Sequence, residues 1–193
     1  MIIGLTGKNA AGKGETAKYL MTKGFEYHSL SDALRDEAAK LNIAHTRDNL
    51  IKLGNELRKK YGAGFLSKKT SEKIINQKNF SKKNFFVVDS IRNPEEINEL
   101  KKNSAFILVA VDAPIEIRFE RMQKRGRYGD AKTLEELKSQ EEKENLKTAT
   151  NQQLDKCIEM ADYIISNEDT LERLFNSIDN LLGILYKKNH HRR

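Results

Sequence analysis

Met1-Ile2-Ile3-Gly4-Leu5-Thr6-Gly7-Lys8-Asn9-Ala10-Ala11-Gly12-Lys13-Gly14-Glu15-Thr16 is the stretch that decides the fold. Ile2–Leu5 is a short apolar run suited to a strand buried on both faces. Gly7 to Lys13 spells G-x-x-x-x-G-K, the phosphate-binding loop pattern, with Gly14 where Ser or Thr usually stands. The segment from Glu15 to Met21 contains no Gly or Pro and is helix-compatible. Strand, glycine loop and helix in that order are what the motif requires. The glycines let backbone N–H groups turn inward around a phosphate, and the helix start adds its positive dipole end. The expected donor-nucleotide contacts are therefore Gly7, Lys8, Asn9, Ala10, Ala11, Gly12, Lys13, Gly14 and Glu15, with Lys13 reaching the β- and γ-phosphates. The competing reading is a glycine-rich surface turn. Gly14 removes the hydroxyl that would hold Mg²⁺ directly, so the metal would rest mainly on phosphates and water.

The remaining chain repeats the same style. Strand-like runs occur at Glu26–Ser29, Phe85–Val88, Phe106–Val111 and Tyr163–Ser166. Helical patterns lie between them, at Ser31–Leu41, Arg47–Tyr61, Leu66–Gln77, Pro94–Lys102, Pro114–Lys124, Leu134–Asn145, Asn151–Met160 and Thr170–Tyr186. Strands alternating with helices predict an α/β fold: a five-stranded parallel sheet in a three-layer α/β/α sandwich with a small helical lid. Ligands then collect at the carboxyl ends of the strands. The 193 residues suit one domain, expected over residues 1–186, with the lid at about 126–147.

Composition excludes several classes. The net charge is +7, but Lys187, Lys188, Arg192 and Arg193 carry four of those charges, leaving +3 elsewhere. Residues 187–193 are expected to form a solvated, disordered tail. With 7% aromatic residues and no Trp, the chain has no stacking platform for nucleic acid. A single cysteine, Cys157, rules out an internal disulfide and a Cys-based zinc cluster. No apolar run approaches the length of a membrane span, and no basic leader precedes the first strand, so a cytosolic protein with small-molecule partners is expected.

Polar clusters follow the strand ends. After the second strand comes Ser31-Asp32-Ala33-Leu34-Arg35, in which Ser31 or Asp32 can cap a helix and Arg35 lies one turn on. After the third comes Asp89-Ser90-Ile91-Arg92. An Asp ending a strand beside the phosphate loop suits a Mg²⁺-bound water, and Arg92 can fork onto a phosphate. Ile115, Phe119 and Met122 share one helical face, expected to pack on the sheet, while Arg118, Arg121 and Arg125 share another. Gly126 ends that helix, and Arg127 follows it. Phosphoryl transfer needs mobile cations, which such an arginine-rich lid edge supplies. Asn55 and Arg58, before the turn Gly62-Ala63-Gly64, are further candidates for a pocket wall.

Taken together, these residues resemble the P-loop nucleoside-monophosphate kinase group over nearly the whole chain. The Lys13-Gly14 pair is similar to the loops of adenylate kinase and its relatives. Gly4-Leu5-Thr6-Gly7 and Ala161-Asp162-Tyr163-Ile164-Ile165-Ser166-Asn167 resemble dephospho-coenzyme A kinase, which would put Asn167 near the adenine. Thr46-Arg47-Asp48-Asn49-Leu50, Gly54-Asn55-Glu56-Leu57-Arg58 and Gln152-Gln153-Leu154-Asp155-Lys156-Cys157 resemble the kinase-like domain that precedes some deoxycytidylate deaminases. No deaminase motif accompanies them. The resemblance implies an ATP- and Mg²⁺-dependent phosphotransferase acting on a nucleoside or deoxynucleoside monophosphate. It implies Lys13, Arg121 and Arg125 as catalytic, Ser31, Arg35, Arg58 and Arg92 as acceptor-binding, and Asp89 as the metal residue through water. Dephospho-coenzyme A as acceptor, or a nucleotide-binding regulatory module with little turnover, are the rival expectations.

Overall fold

The computed structural model describes residues 1–81, 83–103, 105–127, 129–144 and 152–190. Its five strands are β1 (Ile2–Thr6), β2 (Glu26–Ser29), β3 (Phe86–Asp89), β4 (Phe106–Asp112) and β5 (Tyr163–Ser166), and they form one parallel sheet in the order β2-β3-β1-β4-β5. β1 is central, with Ile3 level with Val87 on one side and Ile107 on the other. The chain leaves β1 for one edge of the sheet and later crosses over β1 to reach β4, so the crevice at the carboxyl end of β1 is a topological switch point.

Period-two alternation explains why both sheet faces are covered. Ile3, Leu5, Val87 and Val109 point to one side. There they meet α1 (Lys13–Thr22) and α9 (Leu171–His190) through Leu20, Leu174, Ile178 and Leu182. Ile2, Phe86, Val88 and Leu108 point to the other. They pack on α2 (Leu30–Lys40), α4 (Phe65–Ser81) and α5 (Pro94–Lys101) through Leu30, Ile74, Ile97 and Leu100. Cys157 of α8 (Leu154–Glu159) is buried in this second layer, and burial pushes its thiol well above the usual range, so it is inert packing. The remaining helices are α3 (Arg47–Tyr61), α6 (Ile115–Arg125) and α7 (Leu134–Glu144). Among the described residues, no helix is long and apolar enough to cross a membrane.

Three local expectations change. The cap of α2 is Ser29, whose hydroxyl accepts from the Asp32 N–H at 3.2 Å. Ser31 and Asp32 therefore sit inside the first turn, because the strand passes into the helix without a linker. Ile115, Phe119 and Met122 do not pack on the sheet. They form a separate cluster with Ala131, Leu137 and the loop residue Ala10, since α6 leans away from the sheet to carry α7. Finally, α9 continues through Lys187 and Lys188 to His190, because Lys188 Nζ donates to the Tyr163 hydroxyl at 2.9 Å and lies over its ring. The first four residues of the expected tail are thus helical. Tyr128 and residues 145–147 of the expected lid, and residues 191–193 of the tail, lie outside the described residues.

One buried ion pair joins α3 to α5. Arg58 Nη2 donates to Glu96 Oε1 at 3.1 Å, with side chains 5% and 1% exposed. Glu96 Oε2 accepts from the Arg92 and Asn93 N–H groups at 2.8 and 3.1 Å, completing a capping box at the start of α5. Removing one partner leaves an uncompensated buried charge. Glu96→Ala is therefore expected to lower stability in urea unfolding by about 3 kcal/mol or more. A loss below about 1 kcal/mol, the size of a surface pair, would mean that Arg58 finds another partner or water.

Candidate active site

Backbone geometry makes the phosphate loop. Gly7 and Gly12 have φ of 134° and 116°, and Ala10 stands at 61°, all in the left-handed region. A Cβ on Gly7 would lie 2.1 Å from the Val111 carbonyl oxygen, and one on Gly12 would lie 2.1 Å from Asn167 Nδ2. Neither site admits a side chain. The first hydrogen bond of α1 runs from the Thr16 N–H to Gly12 O at 3.0 Å, so the amides of Lys13, Gly14 and Glu15 are left for a ligand. The Glu15 carboxylate turns away to pair with Lys18 at 2.8 Å. The Thr16 hydroxyl is buried and tied to Gly12 O, so it does not replace the missing one. A Cβ on Gly14 would meet nothing within 4 Å, so no crowding prevents a side chain there.

A loop with inward amides has outward carbonyls, and α6 meets them. Arg118 Nη1 donates to Asn9 O at 3.5 Å, Arg121 Nη1 to Ala11 O at 3.5 Å, and Arg125 Nη2 to Asn9 Oδ1 at 3.1 Å. Three arginines on one helical stripe thus grip one loop. Arg121 also donates to Asn167 O at 2.9 Å, so in this conformation it braces the loop and is not brought into the cleft. Asn167 behaves alike: its Nδ2 donates to Ala11 O at 2.8 Å from beneath, where it is 5% exposed. Its amide nitrogen is committed to the loop, while the residue also lines a polar groove on the β5 side. Lys8 reaches Asp155 of α8 and Glu141 of α7, at 3.2 and 3.7 Å. Glu141 also closes on Arg118. The pairing of Glu141 and Asp155 with Lys8 carries no sequence signal, since it depends on helices packed far from their sequence neighbours.

The cleft beside the loop has a volume of about 270 Å³. The loop contributes Gly7, Asn9 and Lys13, and α2 contributes Ser31, Leu34 and Arg35. From α3 come Arg47 and Arg58, from the end of β3 come Ser90 and Arg92, and from the start of α5 comes Glu96. The lid contributes Arg125, Arg127 and Asp130, and the α8 segment contributes Gln152 and Leu154. The expected acceptor residues Ser31, Arg35, Arg58 and Arg92 are therefore brought together opposite Lys13. Arg35 is paired with Asp32 at 2.5 Å on the exposed rim, Arg58 is held by Glu96, and Arg92 Nη1 donates to Gln152 Oε1 at 3.2 Å. Arg125 is gripped by both oxygens of Asp130, at 2.7 and 2.6 Å, which holds that carboxyl below its usual range. Across the mouth, Arg47 Nη1 donates to Gly129 O at 3.3 Å.

Lys13 reads the charge of this cleft. Its Nζ donates to Gly7 O and Lys8 O at 2.6 and 2.9 Å. Desolvation pushes its pKa down to about 8; Asp89 opposes the shift, while Arg92, Arg118 and Arg125 add to it. The site is short of anions, which is what a polyphosphate supplies. Asp89 is buried at the end of β3, where its Oδ1 accepts from the Ser90 N–H at 2.6 Å. Ser90 has a φ of 68°, which explains why a glycine would be the easy residue there. Among the described residues, no three His, Cys, Asp or Glu side chains are grouped to hold a metal. The donor set therefore fits a cation carried by phosphates and water with Asp89 behind it.

A second, polar groove of about 330 Å³ runs along Ser166, Asn167, Glu168, Thr170 and Arg173, on the β5 side of the loop.

Comparison with known proteins agrees with the fold. The family model described as an AAA domain matches residues 6–138. A UPF0200 protein of Pyrococcus abyssi is 34% identical over 194 residues, covering 98% of this chain and 100% of that one. A UPF0200 protein of Sulfurisphaera tokodaii is 35% identical over 181 residues, covering 94% and 95%. Among solved structures, shikimate kinase from Acinetobacter baumannii in complex with shikimate aligns with a TM-score of 0.58 at 13% identity, covering 97% and 93% of the two chains. Dephospho-CoA kinase from Campylobacter jejuni aligns at 0.53 and 16%, covering 97% and 98%. At these identities the structural likeness is one of fold.

The Lys13 shift has a signed consequence. A bound polyphosphate raises the Lys13 pKa above its free value, so binding is full strength below about 8 and weakens as pH rises through it. Titration of a non-hydrolysable ATP analogue should show affinity flat from neutral pH to about 8 and falling above it. Lys13→Arg should remove that alkaline fall, because a guanidinium stays charged. Affinity that is flat through the alkaline range in the unaltered protein would refute the shift.

Proposed function

The chain belongs to the AAA-domain family and to the UPF0200 family, and from that premise we propose that it is an ATP-dependent nucleotide kinase. Its acceptor is a nucleoside or deoxynucleoside monophosphate, and its setting is the cytosol. One observation carries this reading. The cations of the cleft do not stop at the phosphate loop but continue to the ends of β2 and β3, giving a second anion station opposite Lys13. A site that only bound or hydrolysed a triphosphate would have no use for it.

Lys13 and the amides from Gly7 to Glu15 hold the donor phosphates. Arg92, Arg58 and Arg35 hold the acceptor phosphate. Arg125 and Arg127, from the lid side of the same cleft, would meet the negative charge that moves during transfer. When bound, ATP supplies the phosphoryl group, and Mg²⁺, held through water by Asp89, spreads the charge on its oxygens. Arg121 and Asn167 support the loop from outside. The groove along Glu168, Thr170 and Arg173 accommodates the nucleoside end of the donor.

The chemistry of the walls argues for a phosphate acceptor. An alcohol acceptor, as in a dephospho-coenzyme A kinase, calls for a carboxylate free to take its proton. The carboxylates lining the cleft, Glu96 and Asp130, both hold arginines. A phosphate oxygen is already ionised and needs no base. The resemblance to the kinase-like domain of deoxycytidylate deaminases points to the same acceptor class.

A coupled ADP-release assay against nucleoside monophosphates, deoxynucleoside monophosphates and dephospho-coenzyme A tests the reading. Turnover is expected with a monophosphate, and stimulation by dephospho-coenzyme A alone would replace the acceptor. No stimulation by any of them would favour a regulatory nucleotide-binding module. Lys13→Ala should cost about 3 kcal/mol or more in transition-state stabilisation while leaving the fold intact. Arg92→Ala and Arg35→Ala should raise the KM for the acceptor far more than that for ATP. Equal shifts would place these arginines in a structural role.

A further inference from the structure

Gln152 has no part in the scheme above, yet it stands in the wall of the cleft and is 7% exposed. Arg92 holds it twice. The Arg92 side chain donates to Gln152 Oε1 at 3.2 Å, and the N–H of the next residue, Gln153, donates to Arg92 O at 2.8 Å. A guanidinium only donates, so the carboxamide oxygen must face Arg92 and the amide NH₂ is left for the cleft.

Glu96 lies at the base of the same wall. Its Oε1 accepts from Arg58 Nη2, and its Oε2 accepts from the Arg92 and Asn93 N–H groups. Its oxygens are therefore all committed. The groups that remain are donors: the other N–H bonds of Arg92, the Gln152 NH₂, and Arg58 Nε, which is buried without a partner. Three neighbouring residues whose free groups are all donors suit a ligand offering only acceptors, and a fully ionised phosphate monoester is such a ligand. The neutrality of Gln152 matters as much as its shape. A glutamate of the same size would pair with Arg92, cancel its charge and face the incoming phosphate with a like charge.

We infer that Gln152 is a specificity-determining residue of the acceptor subsite: it orients Arg92 without neutralising it, so that the wall accepts a doubly charged phosphate. Glu96 is the positioning residue beneath it, setting Arg58 and the Arg92 backbone in register. The inference rests on the reading of this cleft as the acceptor site, and it adds a residue, a charge rule and a supporting carboxylate to that reading.

The test uses the full chain and its Gln152→Glu, Gln152→Ala and Glu96→Gln variants. Inorganic phosphate is titrated calorimetrically with ADP present, and KM values are measured for ATP and the best monophosphate. Gln152→Glu is expected to weaken phosphate binding about tenfold or more and to raise the acceptor KM in parallel, with ATP KM changed less than about twofold. Gln152→Ala, which loses a donor without adding charge, should lose only about two- to fivefold. Glu96→Gln keeps the helix cap but weakens the hold on Arg58, so it should raise the acceptor KM and spare the ATP KM. Unchanged phosphate affinity in Gln152→Glu, no phosphate binding by the unaltered chain, or equal shifts in both KM values would overturn the inference. A chain that binds phosphate through Gln152 but turns over no acceptor would instead sink the kinase reading and leave this one standing.

Discussion

A loop that turns its N–H groups toward a phosphate must turn its carbonyls away, and each buried carbonyl then needs a donor. The rest of this structure is arranged around that constraint. Ala11 O receives Asn167 Nδ2 from the end of β5 and Arg121 from α6. Asn9 O receives Arg118, while Gly7 O and Lys8 O receive the loop's own Lys13. The β5 end, the arginine stripe of α6 and the loop therefore form one unit. α7 joins it through the grip of Glu141 on Arg118 and Lys8. The loop conformation is held before any ligand arrives.

Electrostatics follow from the same assembly. Burial of Lys13 inside the loop, with the guanidiniums of Arg92, Arg118 and Arg125 adding to it, lowers its pKa to about 8. An anion would relieve that repulsion, which is the electrostatic basis of the proposed polyphosphate site. On the far wall, carboxylates are present but occupied. Glu96 and Asp130 fix arginines in place without leaving an oxygen for substrate, so the cleft stays donor-rich while its cations remain ordered.

Burial sets the order of the parts. The two faces of the sheet are closed by α1 and α9 on one side and by α2, α4 and α5 on the other. The α6–α7 cluster around Met122, Ala131 and Leu137 is separate from both cores. A small independent cluster can shift as a body more readily than a helix locked into the sheet core. Arg125, Arg127 and Asp130 all ride on it, whereas Arg92 and Asp89 are fixed to the central sheet. The lid side of the cleft and its sheet side thus belong to mechanically different parts of the molecule.

The strands, the glycine loop and nearly all helix limits were legible in the sequence, because each depends on spacing along the chain. Short continuous apolar runs, the Gly7–Lys13 pattern and the Gly126 stop are local facts, and so are Asp89 and Arg92 at the end of a strand. Tertiary structure decided what the arginines do. Arg118, Arg121 and Arg125 look equivalent on a helical stripe, yet one is buried against Glu141, one braces Ala11 and Asn167, and one lines the cleft. Their partners come from α7, β5 and the lid turn. The roles of Glu96, Gln152 and Asp130 were invisible for the same reason: a capping box marks Glu96 and a resemblance includes Gln152, but neither signal says that the side chain holds a distant arginine. Spacing determines which elements form and which ends gather chemistry. Only the packing of elements remote in sequence determines which charges are spent on the scaffold and which remain for a ligand.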